Sequence, residues 1–359
     1  MYNRCDEYNI PYRKTGKLVV VHEDQRSYIE SLHTKACKLP CPKYSSRLGA
    51  QGQRILPTEL ITGDQARELV PDLSSQIVAA LWSPETGILD SHSFMESLEK
   101  DIMDSEGGEL VYDTSVVRVD VYKPSEQVEG SPSLEVVDDG WVVQTVTGGA
   151  DEGDAMLARN LIVSSGLSGP FILNSLLPEQ LRIPMYYARG TYASFNGQGI
   201  SPISRLIYPG PNLGERKDAL HSLGTHLTID MNGRIRFGPD LEWISPENGE
   251  EGTDFWTRHL APNDLRLEDM HRAVVDYLPE AKLEGMQLDY VGIRPKLVPP
   301  EGGFQDFVFR SIFPNGNRRR PMINLLGFES PGLTASLAIA EYLVEDILEG
   351  CNRQRRCVV

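Results

Sequence analysis

The sequence predicts an α/β (α+β) protein whose regular elements fall into two intimately joined domains, and three observations carry this. Short apolar runs at 160–165, followed by Gly166, and at 322–327, closed by Gly327, have the length of buried strands. The second run leads through Pro331-Gly332 into a helix over 332–348, with Leu333, Leu337, Ile339, Ala340, Leu343 and Ile347 at helical spacing. Residues 184–312 change character, alternating short strands with loops, and read as mostly antiparallel sheet.

The other elements follow in order. Gly16 makes a turn before a strand at 17–22, and 24–37 reads as a helix with Tyr28, Ile29 and Leu32 on one face. Residues 38–54 are rich in Pro, Ser and Gly and form a loop. A short helix at 65–70 follows the cap signal Gly63-Asp64. A clearer one at 91–103 is capped by Ser91 and lined by Phe94, Leu98, Ile102 and Met103. Runs at 109–122, 133–137 and 141–147 read as an antiparallel meander. In the antiparallel stretch, strands are expected at 187–195, 222–230, 289–294 and 307–312, with one helix over 267–278.

A chain of 359 residues with 40% hydrophobic content is long enough to bury a sizeable core in two domains. Its 51 acidic side chains against 35 basic ones give a formal net charge of −16. Such a surface repels nucleic acid and anionic membrane, which excludes both as partners. Any anionic ligand must be met by local cations. No apolar run reaches the ~18 residues of a membrane-spanning helix. Residues 1–13 carry Asp6 and Glu7 and match neither a secretory signal nor a transit peptide. Five scattered cysteines (Cys5, Cys37, Cys41, Cys351 and Cys357) point to reduced thiols and an intracellular compartment.

Three signals bear on chemistry. In Asn324-Leu-Leu-Gly-Phe-Glu-Ser-Pro-Gly-Leu-Thr-Ala-Ser a buried strand turns through glycines into a helix. That arrangement gathers backbone N–H groups and the positive helix end at one point, which suits a phosphate, a carboxylate or a flavin edge; a plain strand–helix connection has the same pattern. In Val291-Gly-Ile-Arg-Pro-Lys296 an arginine lies among apolar residues. Its guanidinium fork matches a carboxylate, either of a ligand or of an internal ion pair. In Gly224-Thr-His-Leu-Thr, His226 is a base or a satisfied core residue. His33, Cys37 and Cys41 are spaced by four, but Pro40 and Pro42 break the helix that would align them, so no metal site is expected. Residues 318–320 read as a solvated turn and 351–359 as a basic tail. The dinucleotide fingerprint G-x-G-x-x-G is absent; Gly197-Gln-Gly199 lacks the third glycine and a following helix.

Together, Gly-Lys-Leu-Val-Val at 16–20, Thr-Gly-Ile-Leu-Asp at 86–90, Leu-Ile-Val-Ser-Ser-Gly-Leu at 161–167, Gly-Thr-His-Leu-Thr at 224–228, Gly-Ile-Arg-Pro-Lys-Leu at 292–297 and Glu-Ser-Pro-Gly-Leu-Thr-Ala-Ser at 329–336 resemble the L-2-hydroxyglutarate dehydrogenases. These belong to the D-amino-acid oxidase superfamily of FAD-dependent oxidoreductases. The resemblance spans nearly the whole chain. It implies a Rossmann-like FAD-binding domain from 55–183 plus 313–350, and a mostly antiparallel substrate domain from 1–54 plus 184–312, with 351–359 as a tail. Family members begin with a βαβ unit carrying the fingerprint, and Met1 corresponds to a point some ~80 residues into their pattern. The resemblance thus implies an FAD domain lacking its first βαβ unit, whose sheet would leave unpaired backbone groups and exposed apolar surface. It also implies a mitochondrial enzyme.

By the same resemblance, Val117, Ser164, Ser165 and Gly166 would touch the adenosine half of FAD. Gly327, Gly332, Leu333 and Thr334 would lie along the flavin and its pyrophosphate side. Arg294 would hold the substrate carboxylate and His226 would take the hydroxyl proton as a 2-hydroxy acid is oxidised to a 2-keto acid. A second carboxylate needs a second cation, from among Arg189, Lys296 and Lys17; Tyr192 is a further substrate-binding candidate. Two alternatives within the superfamily stay open, an amino-acid or glycine-type oxidase and a glycerol-3-phosphate-type dehydrogenase. A third, of another class, is a non-catalytic binding protein or inactive fragment.

Overall fold

A computed structural model describes residues 1–39, 56–122, 139–150, 152–211, 224–246, 254–262 and 264–348. The expected strand at 133–137, most of the loop at 38–54 and the tail at 351–359 lie outside the described residues. The chain divides into two compact units: Met1–Asp101 with Tyr187–Ile293 and Pro299–Phe304, and Ile102–Tyr186 with Arg294–Val298 and Gln305–Val359.

The first unit is built on a nine-stranded, mostly antiparallel sheet. The strand Lys17–Val21 lies inside it, parallel to Leu206–Pro209 and antiparallel to Ala79–Ser83. Its unbroken apolar run has a simple cause. Leu18 and Val20 face one core with Leu227, Phe237 and Tyr277, while Val19 and Val21 face another with Ile29 and Leu81. Side chains alternate along a strand, so a strand covered on both faces must be apolar at every position. The helix Leu267–Val275 supplies Met270 and Val274 to the larger core, and the helix Arg26–Lys38 supplies Ile29 to the smaller. Strands Glu59–Thr62 and Ala79–Ser83 pair into this sheet. Residues 56–101 therefore fall in the first unit, whereas the expected assignment grouped 55–101 with 102–183; strand pairing, not sequence neighbourhood, decides their place.

Two helix starts also differ from expectation. The 63–69 helix is capped by Thr62, whose hydroxyl accepts from the amide of Gln65 while Gln65 reaches back to the amide of Thr62. Asp90, not Ser91, caps the helix Ser91–Asp104, accepting from the Ser93 amide at 2.8 Å. On that helix Phe94 and Ser97 are buried, whereas Ile102 and Met103 are exposed. The expected apolar face ends with its first two turns.

The second unit holds two three-stranded sheets. One is a meander, Thr114–Tyr122, Gly140–Thr147 and Asp154–Ala158; strands were expected at 109–122 and 141–147, whereas the third, Asp154–Ala158, was not expected. The other orders Val308–Ile312, Met322–Leu326 and Leu161–Val163, the last pair parallel. The unit's core joins Val119 and Trp141 of the meander to Val163 and Met322 of the other sheet, with the Trp141 indole donating to the Arg320 carbonyl at 3.0 Å. The C-terminal helix is regular over Gly332–Tyr342 and widens to π geometry over Leu343–Leu348. Although its apolar residues fall at helical spacing, no residue of Gly332–Tyr342 is buried and Leu333 stands exposed. Among the described residues, no helix is long and apolar enough to cross a membrane.

Candidate functional site

In the second unit, Met322, Ile323 and Asn324 lie beside Leu161, Ile162 and Val163 in parallel register. Both strands therefore run out at one end of the sheet, where open α/β sheets bind ligands. The first strand continues into Ser164, Ser165 and Gly166, all exposed. The second continues into Gly327. Gly166 and Gly327 have φ of +59° and +68°, which favour glycine. A Cβ at Gly166 or at Gly332 would meet nothing within 4 Å. No side chain caps the helix Gly332–Tyr342, its first turn holds no acidic residue, and the amides of Leu333 and Thr334 have no acceptor among the described residues. This end of the sheet thus offers open backbone, unpaired donors and a positive helix terminus. Val117 is the residue skipped where the meander's register shifts between Val116 and Arg118, and its side chain is exposed. A bulge of this kind re-aims one side chain out of the ladder.

The turn between strand and helix is held by aromatic packing. Phe328 stacks on Phe307 at 4.4 Å and meets Phe309 edge-on at 5.3 Å; Phe309 also packs on Tyr342. This fixes the next residue, Glu329. Arg294 and Lys296, two apart on the strand Met286–Lys296, point to one face and both meet that carboxylate. Lys296 donates to Oε1, and Arg294 Nη1 lies 3.4 Å from Oε2. The three side chains are 28% (Arg294), 10% (Lys296) and 15% (Glu329) exposed. Arg294 is the least committed: this single long contact engages one of its five N–H donors. The sequence pointed to Arg294 and Lys296 but gave Glu329 no role. Two cations on alternate positions of a half-buried strand need a counter-ion, and that was the available signal.

In the first unit, His226 begins the strand His226–Ile229, half-buried, its ring stacked on Tyr208 at 3.7 Å and 9°. Lys17 Nζ lies 4.8 Å from the centre of the same Tyr208 ring. Burial pulls the Lys17 ammonium below its ordinary range, and no carboxylate pairs with it among the described residues. The structure therefore brings Lys17, Tyr208 and His226 together, and Tyr208 is a member the sequence reading missed. Arg189, expected as a possible substrate cation, is committed to the protein. It is buried, donates to the Ala261 carbonyl at 2.7 Å and lies 3.8 Å from Glu242. Tyr192 stacks on Tyr290 at 4.4 Å, and burial, with the neighbouring Tyr192, pushes the Tyr290 hydroxyl up to about 12. His33 binds Thr58 at 2.9 Å and Cys37 at 3.6 Å; Cys41 lies outside the described residues. No metal-binding cluster occurs among the described residues.

A parallel strand pair running out beside an uncapped helix, with open backbone at Gly166 and Gly332, is an arrangement that suits a nucleotide cofactor. The chain belongs to the FAD dependent oxidoreductase (DAO) family, which it matches over residues 1–346. It is 33% identical over 364 residues to the mitochondrial L-2-hydroxyglutarate dehydrogenase of Arabidopsis thaliana, covering 97% of this chain and 69% of the relative. Solved structures share its fold. L-alpha-glycerophosphate oxidase from Mycoplasma pneumoniae with FAD bound has a TM-score of 0.64 at 16% identity, covering 95% of this chain and 74% of that one. L-proline dehydrogenase from P. horikoshii has a TM-score of 0.65 at 17% identity, covering 97% and 76%.

Proposed function

We propose that this oxidoreductase converts a 2-hydroxy acid of the L-2-hydroxyglutarate type to its 2-keto acid. The observation that carries the proposal is Arg294, a half-buried guanidinium whose one side-chain partner among the described residues is Glu329, at 3.4 Å. Its planar fork fits one carboxylate with two parallel hydrogen bonds. The likeness to L-2-hydroxyglutarate dehydrogenases along nearly the whole chain supports the choice of acid. Mitochondrial residence belongs to the same proposal, from the same relatives.

The residues at the strand ends fit FAD, because they offer open space and unpaired amides where a phosphate or an electron-rich ring needs donors. Gly327, Gly332, Leu333 and Thr334 hold the flavin side, and Val117, Ser164, Ser165 and Gly166 the adenosine side. FAD, when bound, supplies the hydride acceptor. The chain's own residues do the rest. Arg294 fixes the carboxylate and with it the orientation of the carbon to be oxidised. His226 takes the hydroxyl proton; Tyr208, stacked beneath it, holds the imidazole plane. Lys17 receives the second carboxylate. It is preferred to Arg189 and Lys296 because those two already meet carboxylates of the protein.

The test is turnover of the FAD-loaded chain with an artificial electron acceptor, using L-2-hydroxyglutarate, L-lactate, glycerol 3-phosphate, glycine and L-proline in parallel. Preference for L-2-hydroxyglutarate with 2-ketoglutarate as product is expected. Preference for an amine, with ammonia released, or for glycerol 3-phosphate replaces the proposal with an alternative from the same superfamily.

A further inference from the structure

Glu329 is the one charged residue of the strand-to-helix turn to which the reading above gives no task. It faces two cations, so the cluster's formal charge is one positive unit. Lys296 and Glu329 are nearly buried, so water screens this charge poorly. A ligand with one negative charge brings the cluster to neutrality. A ligand with two leaves an uncompensated negative charge beside a buried carboxylate, which is costly.

We propose that Glu329 is a specificity residue: by holding one of the two positive charges it makes this an anion site for a carboxylate and against a dianionic phosphate or sulfate group. The proposal rests on the reading of Arg294 as the ligand's anchor. The aromatic clamp on Phe328 is part of the device, because it fixes the turn that carries the carboxylate. Removing the Glu329 charge raises the cluster to two positive units and reverses the preference. At an effective dielectric constant of ~20, one unit charge a few ångströms away changes affinity by about tenfold or more.

The experiment measures binding of acetate and of sulfate to the full chain by calorimetry at matched ionic strength. The proteins are the parent, E329Q, E329D and Arg294→Gln, with folding checked by circular dichroism. The sulfate-to-acetate affinity ratio is expected to rise about tenfold or more in E329Q and to stay near the parent's in E329D. Arg294→Gln should weaken both anions. Lys296→Gln removes a positive charge instead and should lower the same ratio, which keeps the proposal testable where E329Q does not fold. An unchanged ratio in E329Q or Lys296→Gln overturns the proposal, as does anion binding that ignores Arg294→Gln. L-2-hydroxyglutarate is titrated in parallel. If it fails to bind while the sulfate ratio shifts as expected, the substrate assignment falls and the role of Glu329 stands. If it binds through Arg294 while the ratio stays fixed, only the role of Glu329 falls.

Discussion

Arg294 divides a ligand role from a structural one more sharply than any other residue, because the two predict different sizes of effect. As an ion pair it contributes little. Its contact with Glu329 is single and 3.4 Å long, and its side chain is 28% exposed. Such pairs contribute about 0–1 kcal/mol, and Lys296 still neutralises Glu329 when the arginine is gone. Arg294→Lys should therefore lower the melting temperature by no more than about 4 °C. As a ligand anchor it contributes much more. Lysine keeps the charge but loses the fork, and a charged bidentate contact is worth on the order of 2–4 kcal/mol. That corresponds to a rise of ~30- to ~1,000-fold in KM or Kd. The assay pairs a thermal melt with steady-state turnover of L-2-hydroxyglutarate by the FAD-loaded protein. A melting temperature lowered by more than about 8 °C with an unchanged KM would refute the reasoning and make Arg294 a structural ion pair.

Three further outcomes are expected. His226→Asn should lower kcat by roughly 10²–10⁴, as for a lost general base, and leave flavin absorbance intact; parent-like turnover would reduce His226 to a stacking partner of Tyr208. Tyr277→Phe removes a fully buried hydroxyl that donates to the Thr225 carbonyl at 3.0 Å, and urea melts should show a loss of about 1–2 kcal/mol. Asp90→Ala removes a helix cap and should cost about 1 kcal/mol. Hydrogen bonds from the Ser93 amide and hydroxyl hold the Asp90 carboxyl below its ordinary range. The cap's contribution is therefore complete above the unfolded carboxylate range near ~4 and is lost as pH falls through the lowered folded value. The stability difference between parent and variant should vanish in acid, and a difference that persists there argues against the cap.

The sequence by itself determined what depends on near neighbours. The run Lys17–Val21 reads as a strand, and the structure divides its apolar residues 18–21 between two cores. The first two strands of the meander, the glycine turn at 327–332 and the cations at 294 and 296 were legible because turn residues and a period of two are local properties. Capping was legible only to within a residue. Thr62 and Asp90 took positions expected of their neighbours, because several residues at each helix start are competent caps and the backbone path selects one.

Tertiary structure decided what joins residues far apart in the chain. The parallel pairing of 161–163 with 322–324 makes the end of the sheet proposed to hold the cofactor from strands about 160 positions apart. Glu329 meets Arg294 and Lys296 across more than 30 positions, with Phe328 fixed by Phe307 and Phe309. Lys17, Tyr208 and His226 come from three neighbouring strands of one sheet. Residues 59–83 join the first unit because their strands pair with Lys17–Val21. Periodicity states which face a side chain takes but not what lies opposite. The opposite partner is set by strand order and register, which arise only when the whole sheet closes its hydrogen bonds.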